Sequence, residues 1–124
     1  MHDARSAVEN YFAAWNAHEP AEIARFLSRA VAEDAVLTAS YQVVTGRAAL
    51  AAFIAEYRRA RPDDRAVLTC TVETIGRVFR FTGHGVQADG TIYSAVMDVG
   101  ELDDAGLIRT LTTFDTLLPP AATS

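Results

Sequence analysis

The sequence predicts an α+β protein in which three N-terminal helices pack on a strongly curved antiparallel sheet around a small apolar pocket. Three observations lead there. Apolar residues recur at helical spacing through the first half, they alternate with period two through the second half, and tight-turn sequences separate the alternating runs.

The helices come first. Val8, Tyr11, Phe12 and Trp15 fall at i, i+3, i+4 and i+7, one face of a helix, with Asp3 placed to cap its start. His18-Glu19-Pro20 interrupts the pattern, and Pro20 suits the first turn of a second helix, where its missing N–H leaves nothing unpaired. That helix turns Ile23, Phe26 and Leu27 inward and fades near Arg29 or Ala30. Asp34–Ala39 is a short β-prone segment. Gly46 precedes a third helix carrying Leu50, Phe53, Ile54 and Tyr57, which ends at Pro62-Asp63-Asp64.

Four strands follow. Val67–Ile75 alternates and ends at Gly76-Arg77; Val78–Gln87 leads to the hairpin dipeptide Asp89-Gly90; Thr91–Leu102 leads to Asp103-Asp104-Ala105-Gly106; Leu107–Leu117 is last. Pro119-Pro120 opens a small polar tail, 119–124, expected to fray. The run Thr91–Val99 is apolar on both faces, with Ile92, Ser94, Val96 and Asp98 on one and Tyr93, Ala95, Met97 and Val99 on the other. Helices cover only one side, so the second is expected to be covered by another copy of the chain, giving a homodimer through the outer sheet face.

Composition narrows the function classes. With 124 residues, half of them hydrophobic and 22% charged, the chain is expected to form one globular domain over 1–124 without disulfide or metal. All 11 basic residues are Arg, yet the net charge is -5, which argues against a nucleic-acid partner. The cluster Arg58, Arg59, Arg61 and Arg65 reads as the solvated end of the third helix. The lone Cys70 sits in an alternating run and is expected to be a small buried hydrophobe. No stretch resembles a signal peptide or a membrane span, so a cytoplasmic location and no membrane partner are expected.

A family resemblance rests on motifs in a fixed order. The first helix reads Val8-Glu9-Asn10-Tyr11-Phe12-Ala13-Ala14-Trp15-Asn16; Glu33-Asp34-Ala35-Val36 follows the second; Gly46-Arg47-Ala48-Ala49-Leu50 opens the third; and Met97-Asp98-Val99-Gly100-Glu101-Leu102-Asp103-Asp104-Ala105-Gly106-Leu107-Ile108 precedes a Thr-rich last strand. From about Ala4 to Leu118 this resembles the SnoaL-like branch of the nuclear transport factor 2-like superfamily. The resemblance implies a cone-shaped domain whose helices cover the concave side of a bent sheet, with a pocket at the open end. Family members include ketosteroid isomerase-like enzymes, polyketide cyclases, dehydratases and epoxide hydrolases, and also non-catalytic carriers and interaction modules, so the fold alone does not settle function.

The candidate site centres on Asp98, a carboxylate inside an otherwise apolar strand. Burial there is costly unless the group is paired or protonated, and it raises the pKa toward neutrality, suiting a hydrogen-bond donor or a proton shuttle. A carboxylate at the sheet rim, satisfied by backbone or Arg, is the structural alternative. The resemblance places Asp98 at the protonated Asp of isomerase oxyanion holes and at the single acid/base Asp of the SnoaL-like cyclases. It places Tyr11 at the oxyanion-hole Tyr; the alternative for Tyr11 is core packing. It also places Ala39, in Leu37-Thr38-Ala39-Ser40, where the isomerases carry their general base, and alanine cannot take a proton. The neighbouring Ser40 and Tyr41 are poor substitutes at neutral pH.

Asp115 shares a strand face with Leu111 and Thr113 and would approach Asp98 if that face lines the pocket; otherwise it is an exposed residue near the chain end. Alternation from Phe79 and Phe81 puts His84 on the opposite face, unless a bulge at Gly83 or Gly85 turns it inward. The expected lining is Trp15, Phe53, Tyr57, Phe79, Phe81, Val96 and Leu111, which suits an apolar ligand with one or two polar handles. No metal-ligand spacing or phosphate loop is present, and no cofactor is expected. The leading expectation is proton transfer next to a carbonyl (cyclisation, isomerisation or dehydration) on a polyketide-like or terpenoid-like molecule. A non-catalytic pocket protein and a dimeric interaction module are the alternatives.

Overall fold

The computed structural model describes residues 3–115. The first helix, α1 (Ala4–Asn16), starts where Asp3 accepts a hydrogen bond from the Arg5 N–H at 2.9 Å. It buries Ala4, Ala7, Val8, Tyr11 and Ala14, and its last residue, Asn16, exchanges two side-chain hydrogen bonds with the backbone of Ala66. Helix α2 (Pro20–Ser28) has Pro20 in its first turn and buries Ile23 and Leu27.

The β-prone segment after it is longer than expected. Strand β1 (Val31–Ala39) turns at Ser40-Tyr41 into β2 (Gln42–Thr45), an antiparallel partner. Helix α3 (Arg47–Ala60) follows, so the three helices are not all N-terminal: a hairpin separates the second from the third. Gly46 makes that junction with φ +94°, a region that disfavours side chains, while its N–H donates to the Ala35 carbonyl at 2.7 Å. Leu50, Ile54 and Arg58 form the buried stripe of α3.

The expected strand 67–75 is two strands, β3 (Arg65–Leu68) and β4 (Glu73–Ile75), which both pair with β5 (Val78–Val86). Cys70 lies in the break between them and is exposed, not buried; its Sγ accepts the Thr82 N–H at 3.1 Å. Strands β6 (Ile92–Leu102) and β7 (Ile108–Asp115) complete a seven-stranded sheet of order β2-β1-β7-β6-β5-β3, with β4 also on β5. One pairing, β1 with β7, is parallel, so the sheet is mixed and not wholly antiparallel. Register shifts between Gly85 and Val86 and between Glu101 and Leu102 mark irregularities of the kind that bend a sheet. The tail 119–124 lies outside the described residues.

The inner face of the sheet is best followed row by row. Phe79, Gly100 and Leu111 form one row, Phe81, Asp98 and Thr113 the next, then Gly83 with Val96, then Gly85 with Ser94. Along β5 that face reads Phe79, Phe81, Gly83, Gly85. The two phenylalanines stack in parallel at 6.3 Å and are fully buried, and Phe12 packs edge-on against Phe81 at 5.4 Å. Beyond them the inner positions of β5 are glycines, Gly83 packed against the Phe12 ring and Gly85 against the Tyr93 ring.

Candidate active site

Between the helices and the inner face of the sheet lies a cavity of about 250 Å³ that Gly83 and Gly85 help to line. At roughly 30 Å³ per water this is the volume of about eight waters, enough for a one- or two-ring compound. Its walls come from α1 (Tyr11, Phe12, Trp15), α3 (Leu50, Phe53, Tyr57, Arg58), the β1–β2 hairpin and the facing parts of β3, β5, β6 and β7.

Asp98 stands on the floor, only 4% exposed. Its Oδ1 has no hydrogen-bond partner among the described residues. Burial raises its pKa from the ordinary 3.8 to about 6, while a hydrogen bond with Thr113, its register partner, works the other way. Tyr11 faces the same cavity from the helical side. Its phenol pKa is pushed upward, first by burial and then by the charge of Asp98, with the Trp15 indole one turn on opposing the shift. Tyr11 and Asp98 both line the cavity, the donor from the helical side and the carboxyl from the sheet. Among the described residues no other carboxylate lines the cavity.

A SnoaL-like domain model matches residues 8–110, most of the chain. The protein belongs to the SnoaL-like family. Its structure is similar to that of a candidate isomerase of the SnoaL-like family from Agrobacterium tumefaciens, with 27% identity, a TM-score of 0.81 and coverage of 88% of this chain and 93% of that one. A SnoaL-like protein of unknown function from Burkholderia thailandensis (16% identity, TM-score 0.70, 91% and 93% covered) shares the fold. So does a candidate polyketide cyclase from Sinorhizobium meliloti (16% identity, TM-score 0.67, 87% and 93% covered). No curated protein matches.

Within this SnoaL-like domain, Tyr11, Trp15, Phe53, Tyr57, Val96 and Asp98 reach the cavity. Phe79, Phe81 and Leu111 do not: they lie in the packed rows at and below Asp98 and are core. Asp115 pairs with Val96 at the end of β7 and is exposed, outside the lining. Ala39 lines the cavity, and an alanine there supplies no base. His84 pairs with Ala95, on the face opposite Gly83 and Gly85, and borders the cavity.

Several lining residues escaped sequence reasoning, Tyr93 and Arg58 above all. Tyr93 was expected on the outer face with Ala95 and Met97. It is the extra residue of the irregularity between Gly85 and Val86, its ring lies against Gly85, and its hydroxyl hydrogen-bonds that of Tyr57. Arg58 was expected in solvent, whereas it is 4% exposed; its place at i+8 from Leu50, in register with Ile54, was the available clue. Among the described residues no group of three metal-ligating side chains converges, and no helix is long and apolar enough to cross a membrane.

The perturbed Asp98 predicts a pH-dependent stability. The folded chain holds this proton more tightly than the unfolded chain, so the Asp98 contribution to stability falls as pH rises from about 4 to about 6 and levels off above that. The displacement corresponds to about 3 kcal/mol at most. Denaturant titrations of wild type and Asp98→Asn at pH 4 and pH 7.5 should therefore diverge, with the variant gaining relative stability toward neutral pH. A constant difference across that range would show that burial does not perturb Asp98.

Proposed function

We propose that this SnoaL-like domain is a cofactor-independent enzyme that moves a proton next to a carbonyl group of a small apolar molecule. The observation that carries the reading is the buried Asp98 carboxyl, its Oδ1 without a partner among the described residues, facing the same cavity as the Tyr11 phenol. With a pKa of about 6, Asp98 is mostly ionised at pH 7 and remains basic enough to take a proton. It would remove hydrogen from the carbon beside the carbonyl; the electron pair moves onto the carbonyl oxygen, where Tyr11 donates a hydrogen bond; the proton then returns to the same or another carbon. One carboxylate suffices where the C–H is already acidic, as between two carbonyls. Polyketide-like and terpenoid-like skeletons offer such sites, in cyclisation, isomerisation or dehydration. The test is hydrogen–deuterium exchange at carbon, followed by NMR, for a panel of small 1,3-dicarbonyl compounds. Wild type should accelerate exchange of at least one, and full exchange by Asp98→Asn would remove the proposal.

The alanine at position 39 favours a second reading, a binding protein that holds an apolar metabolite without turning it over. Binding that survives in Asp98→Asn, with no exchange in wild type, would select it.

The outer sheet face supports a homodimer. Ile75 is 74%, Phe114 52% and Val78 48% exposed there, with Ile75 paired to Val78, Met97 paired to Phe114 and Val99 in the row between. Sedimentation at micromolar concentration should give the mass of two chains for wild type and a shift toward one for Met97→Glu. A wild-type monomer rules the dimer out.

A further inference from the structure

The end of the cavity toward α3 and β3 carries positive charge with no matching anion. Arg58 is buried in the wall, and its guanidinium is held by neutral acceptors: the carbonyls of Asp64 and, at 2.9 Å, Pro62, with the His18 ring at 3.4 Å. Its Nε has no partner among the described residues. Carbonyls position a guanidinium and partly solvate it, but they do not neutralise it, and an uncompensated buried charge is costly. Arg65 lines the same end and takes part in none of the ion pairs among the described residues. Arg61 lies over the Tyr93 ring at 4.5 Å. The carboxylate of Asp64 is taken by Arg61 at 2.8 Å, and Asp63 is exposed and outside the lining. The hydroxyls of Tyr57 and Tyr93 bond to each other, which leaves one O–H of the pair free to donate there.

We propose that the ligand of this cavity is a small apolar carboxylic acid, its carboxylate received by Arg58 and Arg65 beside the Tyr57–Tyr93 pair and its apolar body directed toward Asp98. This deepens the functional reading above and rests on the same cavity being the ligand site. The two charges fix the orientation: a carboxylate is attracted to the arginine end and repelled by Asp98. The reacting carbon then lies at the Asp98 end and the acid serves as a handle. Guanidinium and carboxylate are geometrically matched, and the match is worth most in a wall sheltered from water.

Trp15 gives a direct readout. It is the only tryptophan in the chain, it lines the cavity, and its ring meets that of Tyr57 at 5.2 Å. The experiment titrates 3-phenylpropanoate, its amide and its methyl ester into the protein at pH 7.5 and follows Trp15 fluorescence. The acid should bind at least about tenfold more tightly than either neutral analogue, and added sodium chloride should weaken the acid alone. Arg58→Gln should bring the preference to within about threefold while leaving the ester unchanged. Because Arg58 also ties the 61–64 turn to α3, Arg65→Gln, at an exposed position, provides the second variant and should lower the preference by a smaller factor. Asp98→Asn should keep the preference or increase it, which separates failure of this proposal from failure of the catalytic one. Equal binding of acid and amide by wild type, no binding of the acid at millimolar concentration, or a preference that survives both arginine substitutions would each overturn it.

Discussion

Asp98→Asn should lower turnover by about 10²- to 10⁴-fold, the usual contribution of a positioned acid or base, while making the folded protein more stable at neutral pH. The combination is diagnostic. Asparagine keeps the size of the side chain and its hydrogen bond with Thr113 but has no ionisable group. A carboxylate retained for structure would be paired, and losing it would destabilise the fold. Asp98 has an orphaned oxygen and a pKa raised by burial, so its charge is a burden on the folded state at pH 7. Activity and stability should therefore move in opposite directions. In wild type, kcat/KM should rise with pH up to about 6 and then flatten, as the ionised fraction of Asp98 saturates. Tyr11→Phe should preserve that profile and lower its plateau by a smaller factor, since it removes a hydrogen-bond donor and leaves the base in place. Steady-state kinetics on a compound found by the exchange screen, together with denaturant titrations of the same preparations, measure both quantities. An Asp98→Asn protein that is less stable and fully active would assign Asp98 to structure.

The second large effect is on the fold itself. Gly100→Ala should destabilise the protein by about 3 kcal/mol or more, a drop in Tm on the order of 10 °C. A Cβ at position 100 would overlap the Thr110 carbonyl oxygen and approach Phe79 Cζ to 2.7 Å. The first is backbone in a neighbouring strand and cannot rotate aside; the second is a fully buried ring stacked on Phe81. Relief requires displacing β7 or Phe79, and Phe79 and Phe81 sit in the rows at and below Asp98. Loss of stability should thus be accompanied by loss of ligand binding at temperatures where the variant is still folded. Gly90→Ala is the control. A side chain there meets nothing within 4 Å, so only its φ of +90° is strained, and the effect should be about 1 kcal/mol. Thermal denaturation of the two variants makes the comparison. Equal effects would mean that the close approach at Gly100 is absorbed by small shifts.

The sequence by itself determined the three helices, the strand-rich second half and the identity of the central carboxylate. Each of those is a local matter. The 3.6-residue repeat of Val8, Tyr11, Phe12 and Trp15, the Pro20 start and the Asp89-Gly90 turn act over a few residues, and a lone aspartate in an apolar strand is conspicuous without any fold. Tertiary structure decided what depends on partners distant in the chain. Whether β1 would pair with β2 and β7, and which β5 rows would be packed rather than open, follows from strand register, which one irregularity at Gly85 suffices to reset, carrying Tyr93 to the inner face. The alternation Phe79, Phe81, Gly83, Gly85 was visible in the sequence, but that the Phe12 and Tyr93 rings close on its glycine half beside a cavity follows only once the helices and the register are placed. Arg58 shows the same division. A run of arginines at a helix end is normally solvated, and only the turn that folds back over this one, supplying the carbonyls of Pro62 and Asp64, makes its burial possible.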